Sequence, residues 1–476
     1  MTVSQTKSIC LFRSVILVAV SLAAVSGALA ASRTKSDSKP NILFLFSDDQ
    51  RADTIGALGN SIIKTPALDT LVRRGFSFRN AYCLGGNSGA VCTPSRNMLL
   101  SGKTYFRWNG QLAPGEPPNF PLSMKDAGYQ TYHHGKKGNS AVNIQARFEI
   151  NKYLADDLED RTDGEPGRSI VDEAITFLMD RTDSRPFFMY LAFANPHDPR
   201  VAARKYLDLY LRDKIPLPKN FVPVHPFDNG EMTVRDELLA PWPRTEEDIR
   251  RQLHEYYAVI SGLDYHIGRL IRTLQQLGAL ENTIVIFSSD QGLALGSHGL
   301  MGKQNLYDAG MKVPLIFAGP GIPRGKSDAL VYLHDIYPTV CELAGWPVPD
   351  RLDGCSFKPV LDKKKKTVRD SLFFSYMSVQ RAIRDRDWKL IRYPQINKTQ
   401  LFDLKHDPEE MDDLAAEPAQ AKRIARMMNE LEAWQIKLGD GQALASDSPK
   451  PLQFTPPAGD SLQKLLQRWK MDTKRL

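Results

Sequence analysis

The sequence predicts an α/β fold: a large, mixed but mostly parallel sheet flanked by helices, followed by a smaller C-terminal subdomain with an antiparallel sheet. Three observations carry that prediction. Residues 41–46, 186–193 and 283–287 are short, nearly continuous apolar runs, as expected of strands covered on both faces in a parallel sheet. Segments with helical spacing that end in glycine, at residues 66–75 and 122–128, alternate with strand-like stretches such as 76–82. Beyond the lysine run at 363–366, short apolar segments at 371–376, 381–384, 388–393 and 400–404 are separated by turns, the pattern of a small antiparallel sheet.

The chain has 476 residues, enough for one large domain and a smaller one, with 42% hydrophobic and 25% charged residues. Residues 1–30 stand apart. Lys7 and Arg13 precede an apolar run at 15–25, and Ala28, Leu29 and Ala30 close it. This is the layout of a secretory signal cut after Ala30, and the run is short for a membrane span. The expected organisation is therefore a signal at 1–30, a catalytic domain at 31–365 and the C-terminal subdomain at 366–476. Secretion or export to a periplasm follows, with no stable membrane insertion after cleavage. Removing the signal takes the formal net charge from +7 to +5, which suits an anionic substrate. No basic stripe with interleaved aromatics is present, so nucleic acid is not an expected partner. Outside the signal, Cys83, Cys92, Cys341 and Cys355 remain; with Cys92 modified three are left, and a bridge between Cys341 and Cys355 would leave Cys83 odd.

Taken in order, the strand at 41–46 ends in Asp48 and Asp49. Adjacent carboxylates at the carboxyl end of a buried strand repel one another unless a cation lies between them, and oxygen ligands suit Ca²⁺ or Mg²⁺. The strand at 283–287 ends in Asp290 and Gln291, so two parallel strands would bring four oxygen-bearing side chains to one sheet edge. Residues 90–103 hold Cys92, Pro94 and Arg96 in a turn that enters an apolar segment; proline fixes the backbone and the arginine reaches back towards the cysteine. Residues 131–139 contain His133, His134 and Lys136, and the third apolar strand leads to His197. Residues 200–250 are proline-rich loops of the kind that carry specificity, with Arg200, His225, Asp228 and Trp242 as candidate contacts. A core helix spans 246–277, and a glycine-punctuated loop then holds His298 and Lys303. A helix at about 419–437 and one more short helix in a proline-rich tail end the chain.

Cys92, Pro94, Ser95 and Arg96, followed by Ser101, Gly102 and Lys103, resemble the signature of the type I, formylglycine-dependent sulfatases of the alkaline phosphatase superfamily. The resemblance extends over most of the chain. It implies that a formylglycine-generating maturation enzyme oxidises Cys92 and that the hydrated aldehyde is the nucleophile. It implies a Ca²⁺ ion, with Mg²⁺ as the other choice, held by Asp48, Asp49, Asp290, Gln291 and the modified Cys92. Lys136 and Lys303 would neutralise the sulfate oxygens, His197 would meet the bridging oxygen, and Arg96 with Lys103 behind it would orient the diol. Arg200, His298 and His134 are expected substrate contacts. One departure stands out: the position of a family histidine near Lys136 falls on Gly138, leaving His133 or His134 to replace it. The implied substrate is a sulfated carbohydrate or polysaccharide fragment. A phosphonate or phosphodiester hydrolase of the same superfamily, and a catalytically dead glycan-binding member, are the alternatives.

Overall fold

The computed structural model describes residues 39–471, so the signal expected at 1–30 lies outside the described residues. Ten strands precede the lysine run: β1 (Asn41–Ser47), β2 (Phe76–Tyr82), β3 (Gly85–Gly86), β4 (Gln130–Gly135), β5 (Ile150–Tyr153), β6 (Phe187–Ala192), β7 (Thr283–Ser289), β8 (Lys312–Val313), β9 (Leu315–Ala318) and β10 (Gly325–Tyr332). All but β3 form one sheet in the order β10-β2-β9-β7-β1-β6-β4-β5, with β8 beside β2. Pairing is parallel along this path except at β9, which runs antiparallel to both β2 and β7. The sheet is mixed and mostly parallel.

The apolar run of β1 serves two cores. Ile42, Phe44 and Phe46 enter one cluster, while Leu43 and Leu45 enter another on the opposite face. Successive strand residues point to opposite faces, so a central strand covered on both sides needs apolar side chains throughout. Helices Cys92–Ser101 and Ile336–Leu343 contribute Leu99 and Val340 to the first cluster. Helices Arg168–Asp180 and Glu246–Gln276 contribute Val171 and Ile267 to the second. Among the described residues no helix is long and apolar enough to cross a membrane.

The second sheet comprises β11 (Leu372–Tyr376), β12 (Gln380–Arg384), β13 (Trp388–Tyr393) and β14 (Lys398–Asp403), antiparallel throughout, with β3 added parallel to β11. One face, with Phe373, Ile383 and Leu401, packs on Met427 and Leu431 of helix Ala421–Leu438. The other, with Phe374, Ile391 and Phe402, merges into the first cluster of the large sheet. The lysine run at 363–366 lies in an exposed segment ahead of β11.

The glycines of β3 thread between this sheet and the cysteine-bearing helix. A Cβ on Gly86 would lie 2.5 Å from Cγ of Pro94, so only glycine allows that approach. No bridge joins Cys341 and Cys355, the pair that a short loop could have linked. Both are free, Cys341 in the core and Cys355 at the surface, and no disulfide links Cys83 or Cys92.

Candidate active site

Strand register brings the predicted residues to one edge. Ser47 of β1 lies opposite Ser289 of β7, so Asp48 and Asp290 leave the sheet at the same level. Ala192 of β6 lies opposite Phe46 on one side and Gly135 of β4 on the other, which places Lys136 and the loop to His197 beside them. The carboxyl edge of a parallel sheet is where α/β folds gather ligands.

Cys92 opens helix Cys92–Ser101 directly over this edge. Its Sγ lies 3.1 Å from Oδ1 of Asp48 and accepts from Nε2 of Gln291 at 3.0 Å and Nζ of Lys303 at 3.3 Å. The Lys303 ammonium is 2.8 Å from each carboxylate oxygen of Asp49. Lys136 donates to Oδ2 of Asp48. Arg96 donates from Nε to Asp290 at 2.9 Å and pairs with Asp48 at 3.3 Å. Three carboxylates thus meet three cationic side chains, all buried.

Each charge state follows from its neighbours. Burial pushes the Asp48 carboxyl up, but Lys136 and Arg96 outweigh it and hold the group well below the usual carboxylate range. Burial acts against the Lys303 ammonium, yet Asp49 holds it well above the ordinary lysine value. Asp290 has less compensation: burial and the Asp48 charge push it up to about 6. Burial, with Asp290 and Asp48, raises the Cys92 thiol well above its ordinary value, so it stays protonated rather than becoming a reactive thiolate.

Neighbouring elements fix the backbone. Asp49 adopts a left-handed φ of 64°, a conformation that needs external support in a residue with a Cβ. Tyr256, on helix Glu246–Gln276, supplies it by donating to the Asp49 carbonyl at 2.5 Å and accepting from the Arg51 amide at 2.9 Å. Asp49 N–H donates to Oδ1 of Asp290 at 3.0 Å, and the Ser95 hydroxyl donates to the Asp290 carbonyl at 2.7 Å. His197 Nδ1 is 2.7 Å from the Asp198 carbonyl. A carbonyl only accepts, so Nδ1 carries a proton, and Nε2 is the ring nitrogen 3.7 Å from Asp49 Oδ2.

The donor set fits a hard divalent cation. Ligand atoms of Asp48, Asp49, Cys92 and Asp290 all lie within 4.8 Å of one another. Oε1 of Gln291, buried beside them, has no hydrogen-bond partner. Carboxylate and amide oxygens are the ligands that Ca²⁺ and Mg²⁺ select.

A cavity of about 490 Å³ opens over this cluster, lined among others by Lys136, His197, Lys303, Gly138, Asp236 and Gln304. At Gly138 the corner is taken by Asp157, whose Oδ2 accepts the Gly138 N–H at 2.7 Å. Neither predicted replacement histidine lines the cavity. His133 is bonded through Nδ1 to Asn151 at 2.7 Å, and burial lowers it to about 3. His134, next along β4, points to the opposite face, and burial lowers it to about 4. Lys103 follows the far end of helix Cys92–Ser101; at 1.5 Å per residue it is about 15 Å along the axis from Cys92, and the structure does not bring it to the cluster. His298 accepts from Asn220 at 3.0 Å and stacks on Tyr307 with ring centres 3.8 Å apart, pinning its loop. His225 is held by the Phe227 carbonyl and Tyr307, Trp242 packs on Phe454, and Asp228 caps the Gly230 N–H. Arg200 lines a neighbouring cleft. Asp236 and Gln304, joined at 2.9 Å, were not singled out by the sequence. Gln304 adjoins Lys303, whereas Asp236 lies in the short 3-10 helix Arg235–Leu239 with no motif around it.

The family profile described as Sulfatase matches residues 40–346 of the chain. The chain belongs to the sulfatase family. As a sulfatase it is an enzyme that hydrolyses sulfate esters. A second profile, for the C-terminal part of N-sulphoglucosamine sulphohydrolase, matches residues 296–437. The sulfatase is 28% identical to an N-acetylglucosamine-6-O-sulfatase of Bacteroides thetaiotaomicron, the match covering 88% of this chain and 90% of the relative. It is 28% identical to an ulvan-active sulfatase of Formosa agariphila, covering 83% of this chain and 80% of that one. The solved structure of BT4656 in complex with its substrate D-glucosamine-2-N,6-O-disulfate superposes with a TM-score of 0.71 at 25% identity, covering 85% of this chain and 99% of that one. A phosphonate monoester hydrolase of Agrobacterium radiobacter also superposes with a TM-score of 0.71, at 20% identity and covering 84% and 96%, a likeness of fold alone.

Proposed function

We propose that this sulfatase removes sulfate from sulfated carbohydrates, using a formylglycine made from Cys92 and a divalent cation held by Asp48, Asp49, Asp290 and Gln291. The observation that carries the reading is the meeting of these side chains, Lys136 and Lys303 at one end of β1, β4 and β7. Relatives that act on an amino-sugar sulfate and on ulvan support a carbohydrate ester. An exported enzyme fits the basic and apolar leader at 1–30.

The protein's own groups supply what the reaction needs. A sulfate ester carries negative charge on its nonbridging oxygens and departs as a poor alkoxide, so it needs positive charge and a proton donor. Lys136 and Lys303 line the cavity, and each is paired with a carboxylate assigned to the cation. Were Asp48 and Asp49 to hold a cation, Lys136 and Lys303 would be left to pair with an anionic ester. His197, its ring oriented through Nδ1, directs Nε2 to the leaving oxygen and can give it a proton only as the imidazolium, the form that Asp49 and Asp198 favour and that burial opposes. Arg96, locked between Asp290 and Asp48, keeps the side chain at position 92 aligned. Ca²⁺ or Mg²⁺ bound there stabilises negative charge on oxygen as a Lewis acid.

Intact-mass and peptide analysis of active enzyme tests this reading. Residue 92 is expected as the aldehyde, lighter than the thiol, and Cys92→Ala is expected to lose turnover by at least about 10⁴-fold with its thermal transition retained. Full activity with an unmodified thiol overturns it. Parallel rates on aryl sulfate, aryl phosphate and a phosphodiester are expected to favour the sulfate.

A further inference from the structure

Beside the cavity over Cys92 lies a larger cleft of about 1090 Å³. The two share walls: Arg235 and Trp469 line both. Trp469 follows helix Gly459–Arg468 near the end of the chain and stays 37% exposed. An aromatic ring on the rim between the two cavities offers an apolar face to a ligand that spans them.

The floor of the second cleft holds Arg200, which is only 7% exposed. Its Nε donates to the Pro196 carbonyl at 3.2 Å, Nη1 donates to Oε1 of Gln252 at 2.8 Å, and the guanidinium lies 5.3 Å over the Tyr256 ring. Nη2 has no partner, and no carboxylate forms an ion pair with Arg200 among the described residues. Of the acids in the wall, Asp198 is engaged by Arg235 at 2.7 Å and lies 3.4 Å from His197, and Asp248 accepts from Thr245 at 2.6 Å and pairs with Arg251 at 3.4 Å. The Asp198 charge reaches Arg200 without a contact between them, and a buried guanidinium with an unused donor is costly unless an anion completes it.

We infer that this cleft is a subsite for a second anionic group on the substrate chain, bound by Arg200, with Trp469 packing against the sugar that links it to the sulfate ester in the cavity over Cys92. This rests on the reading of that cavity as the sulfate pocket and narrows its substrate to oligosaccharides with a further sulfate or carboxylate on a neighbouring sugar.

The test compares kcat/KM of the full-length enzyme on a small aryl sulfate and on three matched oligosaccharides, whose neighbouring sugar is neutral, sulfated or a uronic acid. At least one charged oligosaccharide is expected to exceed the neutral one by about tenfold, the worth of one charged hydrogen bond; the sulfate and carboxylate arms identify which anion is read. Arg200→Gln and Trp469→Ala are expected to bring that ratio towards one, and Arg200→Lys to keep part of it. Trp469 is exposed near the end of the chain, so its variant folds even if those at Arg200 do not. Equal rates on all three oligosaccharides, or a preference that survives both Arg200→Gln and Trp469→Ala, overturns the inference. Failure to turn over the aryl sulfate would instead count against the pocket over Cys92.

Discussion

Lys303 shows how closely charge is balanced at single residues. Its ammonium is shared between both oxygens of Asp49 and Sγ of Cys92, with 3% of the side chain exposed. Removing one partner of a buried ion pair costs about 3–5 kcal/mol, because the other charge is stranded. Lys303→Met is therefore expected to be strongly destabilised in the presence of a chelator and largely restored by Ca²⁺, which would take over Asp49. The rise in Tm on adding Ca²⁺ should be larger in the variant than in the wild type; equal rises would contradict the assignment of Asp49 to the cation. These side chains were legible because each terminates an apolar strand or sits in a motif. Position along the chain is a poorer guide inside a helix. Lys103 adjoins the signature in sequence, yet nine helical residues and Gly102 separate it from Cys92 in space. His134 is one residue from His133, and the alternation of a strand turns it to the other face. Asp236 reaches the cavity from the 3-10 helix Arg235–Leu239, too short for any periodicity to mark it.

The elements were readable in proportion to how uniformly they are buried. β1, β6 and β7 are covered on both faces and appear in the sequence as unbroken apolar runs. β10 begins with Gly325, Lys326, Ser327 and Asp328, exposed or half-buried at the sheet edge, so half of it has the composition of a loop. Helix Asp157–Thr162, at the rim of the cavity, carries a further signature of burial. Asp160 is 4% exposed, neither carboxylate oxygen has a partner, and burial, with Asp163 and Asp157 adding to it, pushes the group up to about 7. A carboxyl raised in the folded state binds its proton more tightly there than in the unfolded chain. Stability is thus greatest below the unfolded carboxyl value and falls as pH rises towards 7. Asp160→Asn removes this ionisation and is expected to stabilise the protein by a few kcal/mol above pH 7, the gain shrinking as pH falls towards 4. Denaturant melts at pH 5 and pH 8 read it out, and a gain independent of pH would contradict the buried ionisation.

At the scale of the whole molecule, the two sheets and the cluster over Cys92 form one mechanical unit. The inner face of the small sheet shares its apolar cluster with β1 and with helix Cys92–Ser101, and β3 carries the chain from that sheet to the signature past Pro94. The sequence announced two sheets but not this fusion, because β3 is two glycines with no side chain to leave a pattern. The cluster itself is held by Arg96, Lys136 and Lys303 against three carboxylates, so its charge closes without a cation. Removing the cation should therefore silence the enzyme without unfolding it. Chelation is expected to abolish turnover of an aryl sulfate while calorimetry still records one cooperative transition. The loss in stability should be limited to the binding linkage, about 2.7 kcal/mol for an ion present at roughly 100 times its Kd, and returned Ca²⁺ should restore both. An early separate transition on chelation would mean that the three basic side chains do not hold the cluster together. The lysines would then have no second role, and their pairing with Asp48 and Asp49 would be incidental to how an anionic ester enters the cavity.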